Sequence, residues 1–352
     1  MRTYISLALI FLIGVFPCSS QDGDVKGTTP SNTARTITMI RVTDSIYMLK
    51  GKGGNIGVSV GEDGILMIDN QFAPASEEIL NLVRSLSEKP VQFLVNTHHH
   101  GDHTGGNKNM IANGTVVLSS DNARKRMIQG ERDAFNKKQD EAFSKLVKEL
   151  EASGNKAKAV EKAKEKSKEK GADMSEFEAT KNAYPMITFS KDMTFHYNGE
   201  KVMVFHIHNA HTDGDALVYF TESNVLHTGD VFVNGRYPFI DRENGGDYDG
   251  YIRALSQILN IIDEETKIIP GHGELGNKGN MKYSHDMMVA LKNSISFHVL
   301  SGKTKEEILA MKELTKEYDA AGFGDFYITA EKFVAMIYDE AKRKYPKPAP
   351  KK

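Results

Sequence analysis

Cysteine is almost missing: the chain of 352 residues holds one, Cys18. A chain cleaved beyond it would have no thiol, hence no disulfide, no thiolate nucleophile and no sulfur ligand for a metal. Any metal would then be held by nitrogen and oxygen. A surplus of one charge sign is also lacking, with 45 Lys and Arg against 47 Asp and Glu. Without such a field nothing recruits nucleic acid or an anionic membrane. The expected partner is a small-molecule substrate, and no nucleic acid is expected. Long hydrophobic runs are confined to Ile5–Phe16, twelve residues without a charge. That is too short to span a bilayer comfortably. With Arg2 before it and small residues after it, the segment reads as a signal peptide over residues 1–20, cleaved after Ser20. The expectation is a periplasmic or secreted protein without a transmembrane anchor in its mature chain. Lipid anchoring at Cys18 is the alternative, although Val15-Phe16-Pro17 lacks the small residues of a lipoprotein signal.

Beyond a polar lead-in at residues 21–35, short apolar runs alternate with glycine turns. Ile46–Leu49, Ile56–Val60 and Ile65–Ile68 read as a meander of strands separated by GKGGN and GEDG. Ser76–Glu88 carries Ile79, Leu82, Val83 and Leu86 at helical spacing. Strand Val91–Asn96 follows, and the alternation of strand and helix favours a layered α/β architecture. Between about residues 122 and 184 the composition shifts to Ala, Glu and Lys, good helix formers with little to bury. Lys156–Lys170 alone has seven lysines against three glutamates. This reads as a charged helical insertion, either a solvated helix or a lid beside the site. Strands resume at Met193–Tyr197, Val202–His206, Ala216–Thr221, Val225–His227 and Lys267–Ile269, with a helix at Tyr251–Ile262. Helical pattern then runs to about residue 345, before a polar tail at 346–352.

Histidine is what the chain concentrates. Of its twelve histidines, four share six positions with an aspartate: His98-His99-His100-Gly101-Asp102-His103. His98 and His100, two apart at a strand end, point the same way, and Gly101 lets the backbone fold Asp102 and His103 back. Two ligand sets can therefore diverge toward adjacent points, and imidazole with carboxylate suits zinc where thiolate is absent. Three later segments also fall at strand ends: Asn209-Ala210-His211-Thr212, His227-Thr228-Gly229-Asp230 and Pro270-Gly271-His272-Gly273. The remaining histidines, His99, His196, His206, His208, His285 and His298, read as ordinary surface or core residues. The Gly51–Asn55 turn reads either as a mobile flap or as a plain hairpin.

In THHHGDH, the AHT loop, TGD and PGHG the chain resembles the metallo-β-lactamase-fold hydrolase superfamily over roughly residues 36–298, with residues 299–345 a helical extension. The resemblance implies a four-layer αβ/βα sandwich with two zinc ions at one edge. Carried over motif by motif, His98, His100 and His211 would hold the first ion. Asp102, His103 and His272 would hold the second, with Asp230 between them. Asp69, at the end of the strand before the first helix, resembles the family's supporting carboxylate, and His227 is a second supporting candidate. Iron or manganese would accept the same donors. The implied mechanism is attack by hydroxide, generated by the metal pair, on a carbonyl-centred bond, with Asp102 as the catalytic carboxylate that orients it and shuttles its proton.

A β-lactam, lactone or ester is the expected substrate, since export suits a β-lactamase-like enzyme. Two departures bear on this. Asp230 stands where acquired β-lactamases carry a cysteine, and Val233 stands where many carry a substrate-binding lysine. Asn234 and Arg236 are the substitute candidates for substrate binding. A glyoxalase-II-like thioesterase shares the ligand set but not the export signal. A phosphodiesterase would need a basic track, which only the Lys-rich insertion offers. Outside the enzymes stands a zinc-binding envelope protein without activity. Nothing in the sequence speaks to oligomeric state.

Overall fold

The computed structural model describes residues 36–152 and 183–345, with 154, 157–158 and 161–162 from the stretch between. The expected signal peptide with Cys18, the lead-in, most of Lys156–Lys170 and the tail at 346–352 lie outside the described residues.

Four strands form the expected meander: β1 (Thr38–Arg41), β2 (Ile46–Lys50), β3 (Ile56–Gly61) and β4 (Gly64–Ile68), each antiparallel to the next. Helix α1 (Ser76–Arg84) then crosses to β5 (Val91–Val95), which pairs parallel with β4. The helix stops four residues short of the sequence expectation, at Ser85, whose hydroxyl donates to Leu82 O at 2.6 Å. Two short helices, α2 (Gly101–Thr104) and α3 (Asn107–Ala112), lead to β6 (Val116–Ser120), and β7 (Ile187–Phe189) completes a seven-stranded sheet. Between β6 and β7 runs α4 (Asp121–Ala152), packed near its start through Ala123 and Met127 and mostly exposed beyond Gln129. The described part of the charged insertion is thus a solvated helix.

The second sheet has five strands in the order β12 (Lys267–Ile269), β11 (Val225–His227), β10 (Asp215–Phe220), β9 (Glu200–Ile207), β8 (Met193–Tyr197). Only β11 and β12 pair parallel there. Strand periodicity decides how the sheets stack. In β4, Leu66 and Ile68 face the inter-sheet core, while Ile65 and Met67 face α1. In β10, Ala216, Val218 and Phe220 enter the same inter-sheet core, while Leu217 faces helices on the far side. Those helices are α5 (Tyr248–Ile261), α6 (Lys278–Leu300) and α9 (Ala330–Lys344), with α7 (Lys305–Leu309) and α8 (Lys316–Ala320) between the last two. The order helix, sheet, sheet, helix is the expected four-layer sandwich. A one-residue slip of β4 or β10 would turn every buried side chain to the wrong layer, at about 1.5–3 kcal/mol for each large apolar one.

This topology makes the site. Two parallel pairs, β4 with β5 and β11 with β12, end on the same edge, where backbone leaves the sheets and side chains can converge. Ala216 N donates to Thr97 O at 2.7 Å, joining the loop after β5 to the second sheet.

Candidate metal centre

Asp69 follows β4, the histidine cluster follows β5, His211 lies between β9 and β10, and Asp230 and His272 follow β11 and β12. The structure brings these distant residues together. Nitrogens of His98, His100 and His211 cluster as one potential ligand group, and donor atoms of Asp102, His103 and His272 as another, each within 4.8 Å. Asp230 sits between: its Oδ1 is 3.2 Å from His103 Nε2 and 3.5 Å from His272 Nε2, while its Oδ2 is 3.7 Å from His211 Nε2.

Hydrogen bonds behind the rings fix which nitrogens are free. Thr97 Oγ1 donates to Asp69 Oδ2 at 2.8 Å, so it accepts from His98 Nδ1 at 3.0 Å. His211 Nδ1 donates to Phe239 O at 2.8 Å, and His100 Nε2 donates to Asp241 Oδ2 at 2.8 Å. Each ring then aims a lone pair inward: His98 Nε2 and His211 Nε2 meet His100 Nδ1 at 3.1 and 2.9 Å. Three lone pairs facing one another repel unless a cation lies among them. In the second group, His103 donates from Nδ1 to Asp69 Oδ2 at 2.8 Å. Its Nε2 and Asp230 Oδ1 are both buried and face each other at 3.2 Å without meeting in hydrogen-bond geometry, and neither has another hydrogen-bond partner. Orphaned polar atoms of this kind are costly in a folded interior. The donor set fits a metal.

Protonation divides the groups. Burial lowers the pKa of His98, and that of His211 to about 4, so both are neutral and ready to ligate at neutral pH. Burial also opposes charge on His272, but the Asp230 and Asp102 carboxylates outweigh it and raise the pKa to about 9. His103 is likewise raised against burial by Asp230 and Asp69. A proton on His272 therefore occupies, without metal, part of the charge role that a cation would take. Because this pKa lies above the ordinary 6.5, metal uptake at pH 7 must expel that proton, and apparent affinity should climb with pH until about 9. Calorimetry in buffers of different ionisation enthalpy measures the proton release. Affinity independent of pH between 6 and 9 would contradict it.

Asp69 is fully buried at a φ of 62°, and its Oδ1 accepts from Thr97 N at 2.8 Å. Asp tolerates this left-handed backbone better than most residues, and three hydrogen bonds to one carboxylate hold it there. His227 is buried too, but its contacts are backbone ones. Its Nε2 lies 3.2 Å from Asn55 O, and its Nδ1 accepts from Gly229 N at 3.2 Å. It props the turn that presents Asp230. Asn234 hydrogen-bonds Glu274 O at 3.0 Å, tying down the His272 turn, while Arg236 lines the cleft.

The Gly51–Asn55 turn is neither flap nor plain hairpin. Gly53, Gly54 and Asn55 are buried. Gly54 N donates to Asp102 O at 3.0 Å, and Asn55 Nδ2 donates to Pro270 O and Gly273 O at 2.9 and 3.0 Å. The turn is a brace pressed against the ligands, with Lys52 exposed to solvent and Gly51 partly so.

Asp241 escaped the sequence reading. Besides His100 it accepts from Asn244 Nδ2 at 2.7 Å, and these hydrogen bonds, working against burial, hold its carboxyl well below the usual range. His99 reaches the same carboxylate at 3.9 Å, nearer the centre than an ordinary surface histidine. Replacing Asp241 with alanine should weaken metal binding about 10–100-fold, the usual cost of losing a ring-orienting partner. Competition with a chelator gives the number, and unchanged affinity would remove the role.

The cleft over this centre has a volume of about 520 Å³ and is lined by Lys52, Phe72, Asp102, Asp230, Arg236, Phe239, His272, Phe326 and Tyr327, among others. No helix among the described residues is long and apolar enough to cross a membrane.

Comparison with known proteins bears on this geometry. A family model described as the metallo-beta-lactamase superfamily matches residues 50–272, a span that contains both donor groups and Asp230. Among solved structures, a metallo-beta-lactamase from Pontibacter korlensis is similar at 16% identity and a TM-score of 0.51, covering 72% of this chain and 99% of its own. The DIM-1 metallo-beta-lactamase is similar at 15% identity and a TM-score of 0.50, covering 72% and 97%. At such identities the likeness concerns the fold. An alkyl/aryl-sulfatase of Saccharomyces cerevisiae is 27% identical over 117 residues, 29% of this chain, and the match spans 18% of that relative's length.

Proposed function

From the premise that this chain belongs to the metallo-β-lactamase superfamily of hydrolases, we propose that it is an exported, binuclear zinc hydrolase acting on a carbonyl-centred bond, a β-lactam, lactone or ester. One observation carries the reading: Asp230 turns one oxygen to each donor group, Oδ1 toward His103 and His272 and Oδ2 toward His211. A carboxylate so placed serves two cations better than one. His98, His100 and His211 would hold one, and Asp102, His103 and His272 the other.

When bound, such a pair supplies a nucleophile at neutral pH and Lewis acidity for the charge that develops on the substrate oxygen. The protein does the rest. Asp69, Thr97, Phe239 O and Asp241 hold the four imidazoles in fixed tautomers, so no reorientation is needed during reaction. Asp102 is partly open to the cleft, with Oδ2 directed at His272 Nε2 at 3.2 Å. Without metal, burial disfavours its charge but the hydrogen bond from His272 outweighs that and keeps it ionised; with the site loaded, the neighbouring cation would do so in its place. It therefore stands ready to take a proton at Oδ1 from an attacking water.

A hydrolysis screen on the zinc-loaded protein tests the reading, with nitrocefin, a homoserine lactone, an acyl thioester and bis-p-nitrophenyl phosphate. Turnover of the lactam or lactone is expected. Thioester turnover would favour a glyoxalase-II-like enzyme, diester turnover a phosphodiesterase, and bound zinc without any turnover a zinc-binding envelope protein. Sulfate esters are the second reading, favoured by the local match to the alkyl/aryl-sulfatase; p-nitrophenyl sulfate belongs in the same panel.

A further inference from the structure

Ser256 on α5 and His285 on α6 meet across neighbouring helices, and neither belongs to a donor group of the metal centre. A serine inside a helix ordinarily turns its hydroxyl back onto the carbonyl one turn earlier. Ser144 does so onto Asp140 O, and Ser301, at the end of α6, onto Phe297 O, both at 2.8 Å. Ser256 Oγ instead meets His285 Nε2 at 2.8 Å. Behind the ring, His285 Nδ1 meets Asp286 Oδ1 at 3.0 Å. Hydrogen bonds from Lys282 and His285 hold the Asp286 carboxyl below its usual range, so it accepts and Nδ1 carries the ring proton. Nε2 keeps its lone pair, and Ser256 donates to it. A hydroxyl, a base and a carboxylate that fixes the tautomer of the base are the parts that turn a serine into a nucleophile.

Small molecules can reach these groups. The side chains of His285 and Asp286 are 20% and 54% exposed, and Ser256 is half-buried. Ile252 and Leu259, one turn to either side of Ser256 and partly buried, make its surroundings apolar enough for a short acyl chain. What the site lacks narrows its chemistry. Backbone N–H groups inside α5 are taken by carbonyls four residues earlier, so they are not free to hold an oxyanion. Without that help an unreactive ester or amide is out of reach, while a donor with a good leaving group is not. The same lack slows attack by water on the product, so a transferred acyl group stays.

We propose that Ser256, with His285 as its base, is a self-acylation site that takes a short acyl group from an activated donor: a thioester, an acyl phosphate or an aryl ester. Ser256 Oγ bonds to the acyl carbon while the bond from that carbon to the leaving sulfur or oxygen breaks. The hydroxyl proton passes to His285 Nε2 and from there to the departing thiolate, phosphate or aryloxide. The product is a serine ester on the outer helical layer. It is separate from the metal centre and does not depend on the hydrolase reading.

Mass spectrometry of the zinc-loaded protein after incubation with p-nitrophenyl acetate tests the site. Peptide mapping should find an acetyl group on Ser256 that alkaline hydroxylamine removes, as it does not from lysine amides. Ser256→Ala should lose this label alone. His285→Gln should slow labelling of Ser256 by about 10²–10⁴-fold, the range for losing a general base. Asp286→Asn is an exposed change that spares packing. Its amide can donate to Nδ1 and so put the ring proton on Nε2, which should slow labelling at least about tenfold. A purely structural hydrogen bond between the helices would not give that dependence on the tautomer. Asp102→Ala should label Ser256 at the parent's rate, and labelling that disappears with Asp102 would overturn an independent site. Acetyl groups confined to lysines, Lys282 included, would overturn the proposal. So would a Ser256 labelled as fast in His285→Gln and Asp286→Asn as in the parent.

Discussion

Asp102→Ala should lower hydrolysis of whichever substrate the screen identifies by roughly 10²–10⁴-fold, the range for removing a proton-transfer group. The residue has two attachments to the proposed chemistry. It is grouped with His103 and His272 as a potential metal ligand, and it lines the cleft where a substrate would sit. Alanine removes both, so zinc stoichiometry must be measured beside kcat. Fewer than two equivalents together with lost turnover would describe a ligand. Two retained equivalents with lost turnover would isolate the proton-transfer role. Undiminished turnover at full zinc content would end the proposed part of Asp102 in the reaction.

Gly54→Ala should be among the most damaging single changes outside the ligands. A Cβ built at Gly54 would stand 2.1 Å from His103 Cε1 and 2.4 Å from Nε2, far inside van der Waals contact. Neither partner can retreat. His103 is fully buried and anchored by Asp69, while the turn is anchored through Asn55 to the Pro270–Gly273 segment. Overpacking of this kind costs about 1–3 kcal/mol even in an apolar core, and here the displaced ring is a proposed ligand. Loss of the second zinc equivalent and lower stability to denaturant are the expected results. Gly130→Ala is the matched control. It lies in α4 with nothing within 4 Å of the added carbon. It should leave zinc binding alone and stabilise the helix by about 0.5–1 kcal/mol. If both variants keep full zinc and equal stability, the brace has no function.

The residues that formed the sequence motifs do meet in space. His98, His100, Asp102, His103, His211, Asp230 and His272 all lie in two groups about one edge, with Asp69 at their back. They were legible because each stands at a strand end beside small residues, and because imidazole and carboxylate have few reasons to crowd there otherwise. A layered α/β architecture was legible from strands of period two separated by glycine turns, and the four-layer sandwich was implied by the family resemblance of the motifs. The Gly51–Asn55 brace was not, because glycine in a turn looks the same whether it serves the turn or makes room for a ring. Asp241 was hidden for a different reason. It is 141 residues from His100 in sequence, within PFIDREN, where one aspartate has no spacing relation to any histidine.

By itself, then, the sequence determined the inventory of donors, their order along the strands, and the layered architecture that gathers strand ends on one edge. Those are local matters, set by residue type and by the twofold or 3.6-residue rhythm of burial. Tertiary structure alone decided which nitrogen of each ring is free, because that follows from Thr97, Phe239 O, Asp69 and Asp241 approaching from other segments. It also decided the cleft, where Phe326 and Tyr327 arrive from beyond the matched family region. Contacts between residues a hundred positions apart depend on where packed layers bring the backbone, and no short pattern encodes that.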